Sequence, residues 1–509
     1  PAMSARPATT AAGWRRASGW LLLAGLLAFA CADLAVTRTA PGAELLRVAR
    51  GFLAPVWLGD DGLAAAELGR ALANTLAFAF QGVAFGAAGG FLLALFWHRR
   101  AVRAAAASVR AVHELFWGLL LMQVAGLSPL TGVLAIALPY AGIFAKVFGE
   151  MLEEADPAPA ASLPRQRRRL STLFYARLPL IAADARAYTT YRLECALRAS
   201  AILGFIGLPT LGFHLETAFR EGLYAQGAGL LYVLFALILS QRLWLRARLV
   251  PVYLLAALLW APPLGQGDWA TLARFVTQDL VPAPLARDQG WAALGDWAWM
   301  LWREQVGPGL WHTLVLGMAA LLLTAVLALL LFPLRSPLFG NRATRLLGHG
   351  LLVVLRTTPE FFLAFFLLII LGPSMLPGIL ALALHTGAII AHLTGRFSEG
   401  LRLRADSARG LNRYAYEVLP RLSPSFLALL LYRWEIIMRE TAVLGILGIH
   451  TLGFYIDSSV AEFRFDRTLV LILATVCLNL AVDAFSRWLR ARLRLAGEGR
   501  RLGSKKDSP

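Results

Sequence analysis

An all-α membrane protein, about twelve transmembrane helices arranged as two parallel six-helix repeats, is what this sequence predicts. Three observations predict it: composition, the placement of the arginines, and a self-similarity along most of the chain. Of 509 residues 58% are hydrophobic and only 16% charged, and the mean hydropathy of +0.62 lies above that of soluble domains. A hydrocarbon core about 30 Å thick takes roughly 20 apolar helical residues. Clear runs of this kind occupy residues 21–36, 71–97, 310–332, 347–371 and 469–482, and weaker ones complete the dozen.

The net charge of +18 would suggest nucleic acid in a soluble protein, but its distribution argues otherwise. Arginines gather in short loops separated by pairs of apolar runs: Arg15 and Arg16, Arg99 to Arg103, Arg165 to Arg169, Arg242 to Arg248, Arg335 to Arg345, and Arg402 to Arg413. Mixed or acidic loops alternate with them, carrying Asp60, Asp61 and Glu67, then Asp268, Asp279, Asp288 and Asp296. This positive-inside pattern places both termini in the cytoplasm and requires an even number of spans. The run after Arg16 has no small-residue cleavage site and reads as an uncleaved first span. Cys31, Cys195 and Cys477 lie far apart in apolar segments, which supports neither a disulfide framework nor a metal cluster.

The repeat is read by self-comparison. Arg110-Ala-Val-His-Glu114 and Arg356-Thr-Thr-Pro-Glu360 precede apolar spans 246 residues apart, and the same offset pairs Gly126 with Gly372, Gly132 with Gly378, Gly149 with Gly395 and Glu153 with Glu399. Farther on the offset is 241: Glu194-Cys-Ala-Leu-Arg198 and Gly207-Leu-Pro-Thr-Leu-Gly212 match Glu435-Ile-Ile-Met-Arg439 and Gly448-Ile-His-Thr-Leu-Gly453. Asn74-Thr-Leu76 and His312-Thr-Leu314 open corresponding spans. Both copies begin inside, so they are parallel rather than inverted. The sequence thus divides into a cytoplasmic N-terminus (1–17), a first unit (18–245) with a cytoplasmic loop (150–178), a second unit (246–490) with its loop (396–419), and a basic cytoplasmic tail (491–509).

Both loops begin with an acid, carry basic residues and end in Leu-Pro. A lone Leu-Pro is usually only the start of a helix, where a missing N–H costs nothing; two copies at equivalent places ask for more. The arrangement resembles the membrane subunits of binding-protein-dependent ABC importers, whose loop reads Glu-Ala-Ala, a Gly, then Leu-Pro. In that family the loop docks on the ATPase subunit and transmits its closure. The resemblance assigns coupling to Glu154, Ala155, Leu178 and Pro179 in the first copy, and to Glu399, Gly400, Leu419 and Pro420 in the second. The first copy departs from the pattern by lacking the Gly and by an insertion with Pro157, Pro159, Pro164 and the arginine run.

A second resemblance is more specific. Tyr191-x-x-Glu194-x-x-x-Arg198 followed by Leu203-Gly-Phe-Ile-Gly207 is similar to the phosphonate-type permeases. Tyr432-x-x-Glu435-x-x-x-Arg439 leading to Gly448 repeats it, and Asp483-x-x-Ser486-Arg487 resembles the family's closing motif. The family's glycine stretch is replaced by Gly207-Leu-Pro-Thr-Leu-Gly212 and its copy. An ionised group deep in a membrane costs about 2.5 kcal/mol or more and so faces a bundle interior or a wet cavity. Glu194 with Arg198 and Glu435 with Arg439 are spaced to be neighbours on one helix face. The plain reading is a self-neutralising pair that fixes packing. The functional one is that both arginines offer positive potential to an anion crossing between the halves, with Thr210, Thr451 and His450 as further donors. A lone histidine near a span end is more often interfacial than a ligand.

No catalytic constellation is found. Nothing resembles GxxxxGK[ST], so ATP and Mg belong to a partner ATPase and this chain binds no cofactor. Eight scattered histidines show no ligand spacing, which argues against a metal. The Trp-rich stretch 269–311 reads as interfacial anchoring rather than nucleic-acid stacking. The expectation is a permease subunit in the bacterial inner membrane that moves phosphonate or phosphite. Its partners would be two copies of an ABC ATPase and a periplasmic or lipid-anchored binding protein. A fused permease for ferric ion or thiamine, a secondary transporter without an ATPase, and an intramembrane enzyme are the competing readings.

Overall fold

A computed structural model describes residues 9–57, 63–156, 158–161, 169–262, 269–401, 403–404, 406–407 and 409–493. Pro157, most of the arginine run in the first coupling segment and the tail beyond 493 lie outside them. Every regular element among the described residues is helical, which matches the all-α prediction. Among the described residues five helices are long and apolar enough to cross a membrane, and nine if each of four bent helix pairs is one span; Tyr224–Leu239 and Val250–Trp260 are shorter apolar helices.

One compact unit comprises residues 43–291 with 460–469. Its axis is the helix Ala65–Ala94 against Pro129–Glu154. Gly82, Gly86 and Gly90 recur every fourth residue, so one face of the first helix has no side chains. Ile136, Tyr140 and Phe144 fill it, and a Cβ at Gly90 would stand 2.4 Å from that of Phe144. Small residues at this spacing let membrane helices approach at backbone distance, where dispersion and not water expulsion holds them.

The other unit comprises residues 1–42, 292–459 and 470–509. It repeats the plan with Gly307–Arg335 against Met375–Glu399. Here the same ridge is built from Ala320, Thr324 and Ala328, all fully buried. Gly387 and Gly395 on the partner helix make room for it, the first beside Leu327 and the Thr324 carbonyl and the second beside Arg335 and the Phe332 carbonyl.

Three features differ from the sequence reading. First, residues 347–371 do not form one straight helix. Arg342–Thr357 and Glu360–Leu371 meet at 91°, as do Arg100–Ala111 and Glu114–Ala125. Pro359 keeps Thr358 extended (φ −66°, ψ 119°), and His113 makes the equivalent corner by accepting the Leu115 N–H on Nδ1 at 3.2 Å. In the second elbow His385 joins the two arms, with Nδ1 2.8 Å from the Thr358 carbonyl and Nε2 3.3 Å from Glu360. Second, the compact units cut across the sequence repeats. Thr9–Cys31 packs on Gly307–Arg335, and Val250–Trp260 packs on Ala65–Ala94. Buried Gln81 donates to the Ala257 and Ala261 carbonyls at 2.7 and 3.0 Å, at the C-terminal end and cap of Val250–Trp260, where helix carbonyls run out of intrahelical partners. Third, the later part of the Trp-rich stretch is continuous with the next span, since residues 290–335 form one 46-residue helix, while 269–289 form short separate helical pieces.

Candidate functional site

The helix Leu178–Ile202 tightens into a 3-10 turn at Leu203–Ile206, reverses at Gly207 (φ +93°) and restarts as Leu211–Arg220, bent by 51°. Leu419–Val443, Leu444–Leu447 and Gly448 (φ +88°) do the same in the second copy, bent by 43°. Two glycine roles are visible. Gly207 and Gly448 sit in the left-handed region, where a side chain is strained. Gly204, Gly212 and Gly445 are there for room: a Cβ at Gly212 would lie 1.8 Å from the Ala201 carbonyl oxygen, and one at Gly445 2.0 Å from the Phe454 nitrogen. The two limbs of each break therefore touch backbone to backbone, so these glycines make the turn rigid.

Thr75 and Thr313 lock the breaks to the axial helices. Each hydroxyl donates to the carbonyl one turn back, Ala71 or Gly309, at 2.7 Å. Each also accepts the N–H that starts the restarted helix, Leu211 or Leu452, at 3.0 Å. Both are fully buried, and their repeated Thr-Leu dipeptides were the only sign of this role in the sequence. Thr210 and Thr451, expected as donors beside a pathway, are also fully buried. Their hydroxyls are turned to the Ala201 and Ala442 carbonyls at 3.4 and 3.5 Å, across the limbs of the break. His450 is exposed with its ring on Phe454 at 4.4 Å; its counterpart Pro209 offers only its carbonyl, to Asn74 at 2.7 Å.

The charge pairs are not equivalent. Arg198 and Glu194 stand 3.7 Å apart across one helical turn, and Glu194 also accepts from Gln241 at 2.7 Å. In the second copy Arg439 stands 3.2 Å from the adjacent Glu440. Glu440 adds a second carboxylate beside Arg439, where the first copy has Ala199. A 241-residue offset read for matches overlooks an added acid.

The coupling residues lie at helix ends. Glu154 and Ala155 close Pro129–Glu154, with Glu154 exposed, and Glu399 and Gly400, both exposed, close Met375–Glu399. Each Leu-Pro is not the end of a loop but part of a continuous helix entered through a π-turn, Leu173–Arg177 or Arg413–Val418. The Leu178 and Leu419 amides bond to carbonyls five residues back, just before prolines that have no N–H to give. Pro179 and Pro420 are exposed on the first turn. Tyr175 and Tyr416, three residues before each Leu-Pro, are both 83% exposed.

The second segment is fastened to the C-terminal end of Gly307–Arg335. Glu399 pairs with Arg335 at 2.8 Å, Ser398 donates to Ser336 at 2.6 Å, and Arg413 donates to the Leu338 carbonyl at 3.0 Å. The Tyr414 hydroxyl donates to the Leu329 carbonyl at 3.0 Å. That acceptor is free of the helix ladder because Pro333, four residues on, has no N–H. Among the described residues no group of three or more His, Cys, Asp and Glu could hold a metal.

The chain matches the family described as binding-protein-dependent transport system inner membrane component over residues 326–495. It is similar to a phosphate-import permease protein of Mycolicibacterium smegmatis, 25% identical over an alignment 475 residues long that covers 84% of this chain and 86% of that protein. A phosphite transport system permease protein of Stutzerimonas stutzeri is 30% identical over 149 residues, 28% of this chain and 53% of that protein. A protein of Escherichia coli named as a cryptic phosphonate transport system permease is 32% identical over 120 residues, 22% of this chain and 96% of that protein. No solved structure matches.

Proposed function

Because this chain belongs to the binding-protein-dependent transport system inner membrane components, we propose that it carries a small phosphorus oxyanion, phosphonate or phosphite, through the membrane. It is a multi-pass permease subunit of an ABC importer and not an enzyme, and it works with an ABC ATPase and a substrate-binding protein. One observation carries the substrate reading: similarity to a phosphate-import permease extends over 84% of the chain, both repeats included. Shorter relatives named for phosphite and phosphonate add to it.

The finer arrangement is part of the same proposal. One ATPase subunit docks at each Leu-Pro segment, so two copies serve one chain, each holding ATP and Mg. The binding protein, periplasmic or lipid-anchored, delivers substrate from outside, and both termini are cytoplasmic. The geometry supports coupling of this kind. Residues 173–206 form one helical rod, about 50 Å at 1.5 Å per residue, from exposed Tyr175 past Leu-Pro and Arg198 to the 3-10 break. Gly410 to Leu447 forms the second rod. A push on the coupling end is transmitted by a stiff helix whose far end is clamped by Thr75 or Thr313. The test is uptake by cells making the chain with its ATPase and binding protein. Phosphite, methylphosphonate and phosphate are compared with ferric ion and thiamine. Uptake of a phosphorus oxyanion that requires the ATPase is expected; preference for iron or thiamine, or uptake without the ATPase, overturns the reading.

A further inference from the structure

In the first copy, one cation on the helix Leu178–Ile202 has aromatic rings where a counter-ion would be expected. The guanidinium of Arg192 stands over the rings of Tyr188, Tyr140 and Tyr191, 5.2, 5.7 and 5.7 Å from their centroids. Its Nε donates to the Tyr188 hydroxyl at 2.8 Å. Among the described residues no carboxylate lies within ion-pair distance of it. Phe144, fully buried, meets Tyr188 edge to face at 5.7 Å and backs the cage. Tyr140 is buried while Tyr191 is half exposed, so the cage is closed toward the helix bundle and open past Tyr191.

Rings hold a cation through their faces without neutralising it. A charge on a helix of a membrane bundle ordinarily has a partner or faces water. Arg192 uses one of its five N–H groups on Tyr188, which leaves four in the plane of the fork. That fork suits a tetrahedral oxyanion taken bidentately, and the Tyr188 hydrogen bond with the surrounding rings holds it in place before the anion arrives. The second copy has no such cage. Arg433, Leu429 and Thr386 stand at the positions of Arg192, Tyr188 and Tyr140, and Tyr432 lies under Arg490 instead, 5.7 Å away.

We propose that Arg192, held by Tyr140, Tyr188 and Tyr191, is a binding site for the oxyanion head of the transported substrate, present in the first copy alone. The proposal rests on the reading of the chain as a phosphorus-oxyanion permease. Arg192 is the ligand, and the tyrosines position it.

The test is concentration-dependent uptake of radiolabelled phosphite and methylphosphonate by cells making the complete importer, with membrane level and melting temperature of each variant measured alongside. Losing a bidentate charge-assisted contact, Arg192→Gln raises KM about tenfold, and Arg192→Lys, which keeps charge without the fork, falls between. Tyr188→Phe frees Nε and raises KM about twofold to threefold with the charge intact. Arg433→Gln leaves KM within about twofold of the parent. Arg192→Gln inserted at the parent level with unchanged KM overturns the proposal, as does an equal loss in Arg433→Gln. If Arg192→Gln fails to accumulate, Arg192→Lys and Tyr188→Phe decide by the same criterion. An unmodified chain that takes up neither anion overturns the functional reading and this proposal with it, a result distinct from a silent Arg192→Gln in a working importer.

Discussion

The two copies agree at one end of their long helices and differ at the other. At the break, Gly207 and Gly448, Thr75 and Thr313, and Thr210 and Thr451 make the same bonds at nearly the same distances. At the coupling end the second copy uses Ser398, Arg413 and Tyr414 as fasteners, where the first has Leu152, Thr172 and Leu173. The difference teaches that the break is common to both copies because its backbone geometry admits few residues. The coupling end tolerates change because its contacts are side-chain bonds, which many residue types can make or omit, and only the Ser398–Ser336 bond among them is fully buried.

The largest effect is expected where a side chain has no room. Gly212→Ala and Gly445→Ala each push a Cβ into backbone of the opposite limb and should destabilise the chain by about 3 kcal/mol or more, seen as loss of folded protein in detergent. Gly448→Ala is the contrast: nothing lies within 4 Å of its Cβ, so only the left-handed backbone penalty of about 1–2 kcal/mol applies. Equal losses at Gly445 and Gly448 would break the assignment of the two roles.

Next come Thr75→Val and Thr313→Val. Each keeps the shape but leaves the Leu211 or Leu452 N–H buried without its acceptor, a cost of about 2 kcal/mol. Thermal unfolding of the two variants should give matching shifts. Unequal shifts would show that the breaks are less alike than their distances suggest.

Much of this was legible before any coordinates. The paired motifs are visible because a left-handed turn and a backbone contact both demand glycine, and Leu-Pro is visible because proline restricts where a helix can start. The elbows were not, since hydropathy sums residues across a 91° corner as readily as along a straight helix. His113 and Pro359 mark that corner in the two copies, but one reads as a cap and the other as a breaker only once the bend is known. Nor could the sequence assign Thr9–Cys31 to the second-half helices, because covalent order says nothing of which ridge receives Gly25, whose added Cβ would meet Leu322 at 2.8 Å. Arg192 stood inside a quoted motif and was passed over, since its significance comes from Tyr140, fifty-two residues away.

At the coupling end, Tyr175→Ala and Tyr416→Ala remove the one exposed aromatic the two segments share. Aromatic anchors dominate protein interfaces, and each loss should lower ATP-dependent uptake about tenfold, or roughly 1.4 kcal/mol. Melting temperature should not move, because neither ring is buried. A loss in only one of the two variants would mean that the segments are not used alike, in keeping with their different fastening.

The smallest effect tests the altered charge pair. Removing one member of a buried pair costs several kcal/mol when the other is left alone, but Arg439 would not be left alone in Glu440→Ala. Glu435 stands one turn before Arg439, as Glu194 does before Arg198, and the variant restores the alanine that the first copy has at Ala199. A carboxylate one turn away should hold the cost to about 1 kcal/mol or less, since the Arg439 side chain is 28% exposed. A double-mutant cycle between Glu435→Gln and Glu440→Ala reads this directly. If Glu435 holds Arg439 once Glu440 is gone, its replacement costs more in the Glu440→Ala background than in the parent, whereas simple additivity would mean that the two acids act on Arg439 independently.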